Sequence, residues 1–293
     1  MNTRKGVLAV VGASCLYGVL PIFSKAILNE GMNTNALVFN RFMFTMLFSL
    51  LILKALRIDM RVTKRQLIEL VAAALIGYGM TASLLTLAYS LIPVGLATMF
   101  HFTNPLFVTL AMIVIFKEKA TLFKGISMVF AVAGLILMAD FSRLAPLGVL
   151  LAVMSGITYA SYVIANKKCS FASLNQFVIV FYVGLVNWIF FGIRNALTHD
   201  LALPPTLKAW VYMVILALFC TIGALFLLTY GIRTLGASTA SVLNMLEPVV
   251  SLIAGIIVYH EAVSFKSLLG CLFIVISGIV VVMDKKADTG PQS

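Results

Sequence analysis

Ten apolar blocks, most of them close to the ~20 residues a helix needs to cross a bilayer core, follow one another along this chain with short polar punctuation between them. They run at 6–28, 35–56, 66–90, 95–116, 122–140, 147–166, 173–197, 208–231, 236–259 and 265–283. Hydrophobic residues make up 62 % of the sequence and charged residues only 11 %. A water-soluble fold of 293 residues could not hide so much apolar surface, so the solvent is lipid. Hydrocarbon offers no partner to a free backbone N–H or C=O, and the short alternating strands of a barrel are missing. The expected fold class is therefore all-α: a polytopic membrane protein of ten transmembrane helices.

The net charge of +11 does not call for nucleic acid, because the basic residues gather between the apolar blocks. Ten crossings put both termini on one side. Fifteen Lys and Arg fall on that side and six on the other, so the positive-inside rule makes the termini cytoplasmic. Arg4 and Lys5 precede an apolar run that continues to Leu28 without a small-residue cleavage site, which reads as a first span rather than a signal peptide. Cys15, Cys169, Cys220 and Cys271 are isolated and read as apolar packing. The polar ending DKKADTGPQS reads as a disordered cytoplasmic tail, 285–293.

The two halves repeat each other. GVLAVVGASCLYGVLPIFSK from Gly6 aligns with GVLLAVMSGITYASYVIANK from Gly148, pairing Tyr17 with Tyr159 and Lys25 with Lys167. HFTNPLFVTLAMIVIFKE aligns with NMLEPVVSLIAGIIVYHE, pairing Pro105 with Pro248 and Glu118 with Glu261. Five spans is an odd number, so the second repeat (142–284) enters the membrane inverted relative to the first (1–141). That is the plan of alternating-access transporters, two inverted five-helix repeats.

The segments AYSLIPVGLATMFHFTNPLFVTLAMIVIFKEKAT and YGIRTLGASTASVLNMLEPVVSLIAGIIVYHEAVS carry a resemblance. Each has a tyrosine, a small-residue helix start, a mid-helix Pro, a helix-terminal Glu and a following Thr or Ser. On these residues the chain resembles the drug/metabolite transporter superfamily, EamA-type, from Gly6 to Met283. One departure is that Tyr89 to Pro105 is two residues shorter than Tyr230 to Pro248. The resemblance implies a basket-like bundle with its two inverted repeats around a central cavity, a multi-pass transporter of the bacterial cytoplasmic (inner) membrane that exports or exchanges amino acids or other metabolites, without naming the substrate.

Glu247 falls near the middle of its span, where a carboxylate costs about 2.5 to 3.5 kcal/mol on insertion scales and rarely faces lipid. His101 and Asn104 share one helix face, as do Asn244 and Glu247, and the repeat superposes the two pairs. Each pair lies just ahead of a proline, which removes a backbone donor and frees the carbonyl of His101 or Asn244. These four are the candidate midplane site. Asn104, Asn244 and His101 would recognise substrate, and Glu247 would bind an ammonium group or carry a coupling proton, with His101 as second protonation candidate. The competing reading is interhelical hydrogen bonding alone. Tyr17, Tyr78 and Tyr159 lie mid-helix and could line the cavity or simply pack. Arg41 reads as an ion pair or headgroup contact near a helix end, and Glu118 and Glu261 as local salt bridges or caps.

No HExxH pair, GxSxG elbow, P-loop or acidic metal cluster is present, so neither a metal nor another cofactor is expected and an enzyme is disfavoured. A membrane-embedded enzyme or a channel using the same polar residues stays as the alternative. The expected partners are a small-molecule substrate, the lipid bilayer and a coupling proton. Oligomeric state is left open.

Overall fold

A computed structural model describes residues 3–92, 94–138, 145–260 and 264–284. The expectations placed on Glu261, on the 141/142 repeat boundary and on the 285–293 tail lie outside the described residues. Among the described residues, nine helices are long and apolar enough to cross a membrane: α1 (Thr3–Asn29), α2 (Thr34–Ala55), α3 (Lys64–Tyr89), α4 (Leu96–Val114), α6 (Pro146–Lys168), α7 (Gln176–Leu197), α8 (Leu207–Leu235), α9 (Ala237–Tyr259) and α10 (Phe265–Met283). The remaining apolar helix, α5 (Leu122–Met138), is 17 residues long.

Polar residues before the apolar blocks start several of these helices. Asn33 accepts from the Ala36 amide at 2.7 Å, Thr206 from Ala209 at 3.1 Å and Ser264 from Ser267 at 3.1 Å. Thr63 and Gln66 form a reciprocal capping box at the head of α3. Each cap satisfies an amide that has no partner inside the helix, worth about 1 kcal/mol.

Helix pairing reproduces the sequence repeat. α1 packs on α8 and α9, while α6, its counterpart, packs on α3 and α4. α2 pairs with α7 and α5 with α10, each helix lying against its own equivalent. Every one of these principal contacts joins one repeat to the other, so the two halves share one interior. Leu8, Ile68, Val114, Val129, Leu207 and Phe265 are exposed on the outside, the composition a lipid-facing surface requires. The interior carries small polar side chains instead, among them Ser14, Asn40, Ser49, Ser127, Ser155, Asn187 and Ser277, all at zero exposure. Lipid gives helices no hydrophobic drive toward each other, so such residues help by close approach and by hydrogen bonds.

The two ends of the bundle are tied differently. At the end away from the termini, Glu30 pairs with Lys208 at 3.1 Å and accepts from Thr206 at 2.8 Å, and Asp200 accepts from Asn35 at 2.7 Å. Hydrogen bonds, from Thr206 to Glu30 and from Asn35 to Asp200, hold both carboxyls below the usual carboxylate range. At the terminal end, Lys124 is buried and paired with Glu118, which also accepts from Ser238 at 3.2 Å. Glu118 thus has the salt-bridge role expected of it, with Lys124 as partner rather than its sequence neighbours. Cys15 departs from the packing expectation: it is exposed on α1, whereas Cys220 is buried.

Candidate functional site

The proline-bearing helices are interrupted where the sequence places the candidate residues. In α4 one helix ends at His101 and another begins at Asn104, with a turn at Phe102 and Thr103. In α9 the break is at Met245, between helices Ala237–Asn244 and Leu246–Tyr259. Pro105 leaves the His101 carbonyl without its helical donor. The Asn104 side chain supplies a substitute, Nδ2 donating to His101 O at 3.1 Å.

The second break is arranged around a carboxylate. Asn244 Nδ2 donates to Glu247 Oε2 at 3.3 Å, and Ser14 Oγ of α1 lies 3.3 Å from Asn244 Oδ1. Glycines let the equivalent helices α1 and α6 press on these breaks. A Cβ on Gly18 would stand 2.8 Å from the Glu247 carbonyl, and one on Gly156 would stand 2.8 Å from the His101 carbonyl. Both are closer than real Cβ contacts come, so these crossings require glycine.

His101 is held by α6. Ser155 Oγ donates to the Ala152 carbonyl at 2.6 Å and lies 3.0 Å from His101 Nδ1. With its proton so placed, Ser155 accepts from Nδ1–H, which assigns the neutral ring that tautomer and leaves Nε2 as a free acceptor. The ring sits 5.4 Å from that of Tyr159, which packs with Tyr78 at 6.5 Å and Tyr162 at 6.2 Å.

Two segments of π-helix stand at equivalent places in the repeats, Ala73–Gly79 in α3 and Leu218–Gly223 in α8. Their wider turns appear in the amides of Met80 and Ala224, which bond five residues back to Leu75 O and Phe219 O. Such bulges re-aim side chains and recur at functional sites. Here they present Tyr78 and Thr221 to one guanidinium: Arg41 Nε donates to Thr221 Oγ1 at 2.8 Å and Nη2 to Tyr78 OH at 3.2 Å.

Arg41 corrects the sequence reading. It lies seven residues past the start of α2, about 10 Å along the axis at ~1.5 Å per residue, and turns inward rather than toward a headgroup. No carboxylate lies within ion-pairing distance of it among the described residues. The available signal was its depth inside an apolar block, which interfacial snorkelling does not explain.

Tyr17, Tyr78 and Tyr159 are all buried, and Tyr17 OH has no hydrogen-bond partner among the described residues. The chain thus bonds Tyr78 to Arg41, packs Tyr159 on Tyr78 and places His101 at a tilt beyond Tyr159, while the Glu247 backbone lies against Gly18, next to Tyr17. Asn104 is turned to the backbone of its own break. Two cavities, of about 540 and 180 Å³, are lined elsewhere, by Phe100 and Val149 and by Thr109 and Lys124 respectively. No group of three or more His, Cys, Asp and Glu suited to a metal occurs among the described residues.

Comparison with known proteins gives this arrangement a family. No curated protein matches the sequence closely enough to count as a relative. A solved structure titled "Crystal structure of protein" is similar in fold, with a TM-score of 0.81 at 17 % identity over 96 % of this chain and 98 % of that one. The sequence matches the EamA-like transporter family over residues 4–139 and again over 146–283, one match to each repeat. This is a multi-pass membrane protein of the drug/metabolite transporter type, and the chain belongs to the EamA-like transporter family.

Proposed function

We propose that the chain is a secondary active exporter of small amine-bearing metabolites, amino acids among them, working by alternating access at the site between the two helix breaks. The observation that carries this reading is Glu247. It is a half-buried carboxylate beside a helix break, given one oriented amide by Asn244 and no cation within ion-pairing distance among the described residues. An ionised acid at that depth costs several kcal/mol unless something compensates it, and a substrate ammonium or a proton would do so. Broken helices that offer polar groups to the interior are the way membrane proteins build such sites. Energy would come from a substrate or ion gradient, since the sequence has no ATP-binding motif.

In the cycle proposed here, the repeats at 1–141 and 142–284 rock about the α2–α7 and α5–α10 contacts and expose the site to each side in turn. The terminal end would face the cytoplasm of a bacterial inner membrane, with the Glu118–Lys124 pair on that side. His101 Nε2, free to accept, would be the second group able to take a proton.

Counterflow in proteoliposomes tests the assignment. Wild-type protein should exchange at least one amine or amino acid and respond to an imposed pH gradient. Glu247→Gln should lower that exchange at least tenfold and remove the response to pH. Exchange and pH response unchanged in E247Q would reduce Glu247 to a packing role.

A further inference from the structure

Arg41 and Glu247 form an unusual combination. Arg41 bonds to Tyr78, and the backbone of Glu247 lies against Gly18 of α1, next to Tyr17, yet no ion pair joins the two charged side chains among the described residues. The guanidinium is tethered by neutral hydroxyls alone, Thr221 of α8 and Tyr78 of α3. Those bonds use two of its five N–H donors. The carboxylate receives the Asn244 amide. On α1, Tyr17, the neighbour of the Gly18 that lies against the Glu247 carbonyl, presents a buried hydroxyl with no partner among the described residues.

Each part is costly as it stands. A buried charge left unpaired and a buried hydroxyl left unbonded both weigh against the folded state. A direct Arg41–Glu247 bridge would relieve much of that cost, but none is formed among the described residues, and the guanidinium bonds to the hydroxyls of two other helices instead. A ligand carrying both signs of charge satisfies all three groups together.

We propose that Arg41 is the residue that recognises a substrate carboxylate, so that the site takes zwitterions: ammonium toward Glu247, carboxylate on the guanidinium, with Tyr17 OH donating to the same carboxylate. This rests on the transport reading above and narrows its substrate class. The planar fork of arginine suits the two oxygens of a carboxylate, a geometry that lysine cannot reproduce. The tethers come from the π-segments of both repeats, so the anion is gripped where the two halves meet. Tyr78 and Thr221 are accordingly positioning residues.

The test is counterflow with matched pairs: phenylalanine, leucine and threonine, each against its methyl ester, which keeps the ammonium and loses the carboxylate charge. Wild-type protein should exchange one of the acids at least tenfold better than its ester. Arg41→Gln and Arg41→Lys should lower the acid to the level of its ester and leave ester exchange within about twofold. The thermal unfolding midpoint in detergent reports whether each variant is folded. Should R41Q fail to fold, the double variant Y78F/T221V keeps the arginine but frees it, and should still weaken acid over ester. Wild-type preference for the esters, or a folded R41Q that retains the preference for acids, would overturn the assignment while leaving transport intact. The same holds if R41Q or the double variant loses acid and ester exchange equally. Exchange of none of the six probes would overturn it together with the transport reading.

Discussion

A buried tyrosine hydroxyl without a partner gives a sharp prediction at the level of the single residue. Tyr17 OH is desolvated and makes no hydrogen bond among the described residues, so Tyr17→Phe removes a group that costs stability in the empty protein. The thermal midpoint in detergent should hold or rise, by the equivalent of up to about 1 kcal/mol, while substrate affinity in counterflow falls severalfold. A lowered midpoint with unchanged affinity would make Tyr17 a packing residue. Asn104 and Asn244 show how residues alike in the sequence part company in three dimensions. Asn104 turns back to the carbonyl that Pro105 orphans, whereas Asn244 turns to Glu247. The repeat made both visible as candidates; which acceptor each amide finds depends on neighbours that no spacing records.

Interrupted helices are the elements that carry the proposed site. A proline four residues past a polar residue predicts a freed carbonyl, and both predicted weak points are breaks. The π-segments had no comparable signal, because no residue type demands an extra backbone residue per turn; close packing of Gly77 against Tyr162 and the Thr221 bond to the Leu216 carbonyl accompany them. Lys124 was likewise misleading as one more basic residue of a connection. It is buried on α5 and paired with Glu118, which also receives Ser238 from the start of α9. Lys124→Met or Glu118→Gln alone leaves a buried charge unpaired and should cost about 3–5 kcal/mol, whereas the double variant K124M/E118Q should cost clearly less than the sum. Unfolding free energies around this double-mutant cycle check it; additive losses would show that the two side chains do not depend on each other.

Over the whole molecule, the repeat has a consequence larger than topology. The halves are interleaved, α1 against α8 and α9, α6 against α3 and α4, so the interior is assembled from both. The charge count makes a prediction here. Cytoplasmic termini require that a fluorescent protein fused to the C-terminus glow in the bacterial host and that an alkaline phosphatase fused there stay inactive; the reverse pattern would invert the proposed orientation.

Length and apolarity alone settle the helical, membrane-spanning architecture, because lipid leaves a backbone of this composition no other way to satisfy its hydrogen bonds. Local periodicity and the proline positions likewise bring out Glu247, Asn244, His101 and Asn104. Arg41 was beyond that reach. A charge seven residues into a span can bend outward to the interface or inward to a partner, and only the packing of α2 against α8 and the nearby turn of α3 decides between them. Sequence order carries what neighbours along one helix do to each other, while the meeting of Arg41, Tyr78 and Thr221 joins residues 37 and 180 positions apart.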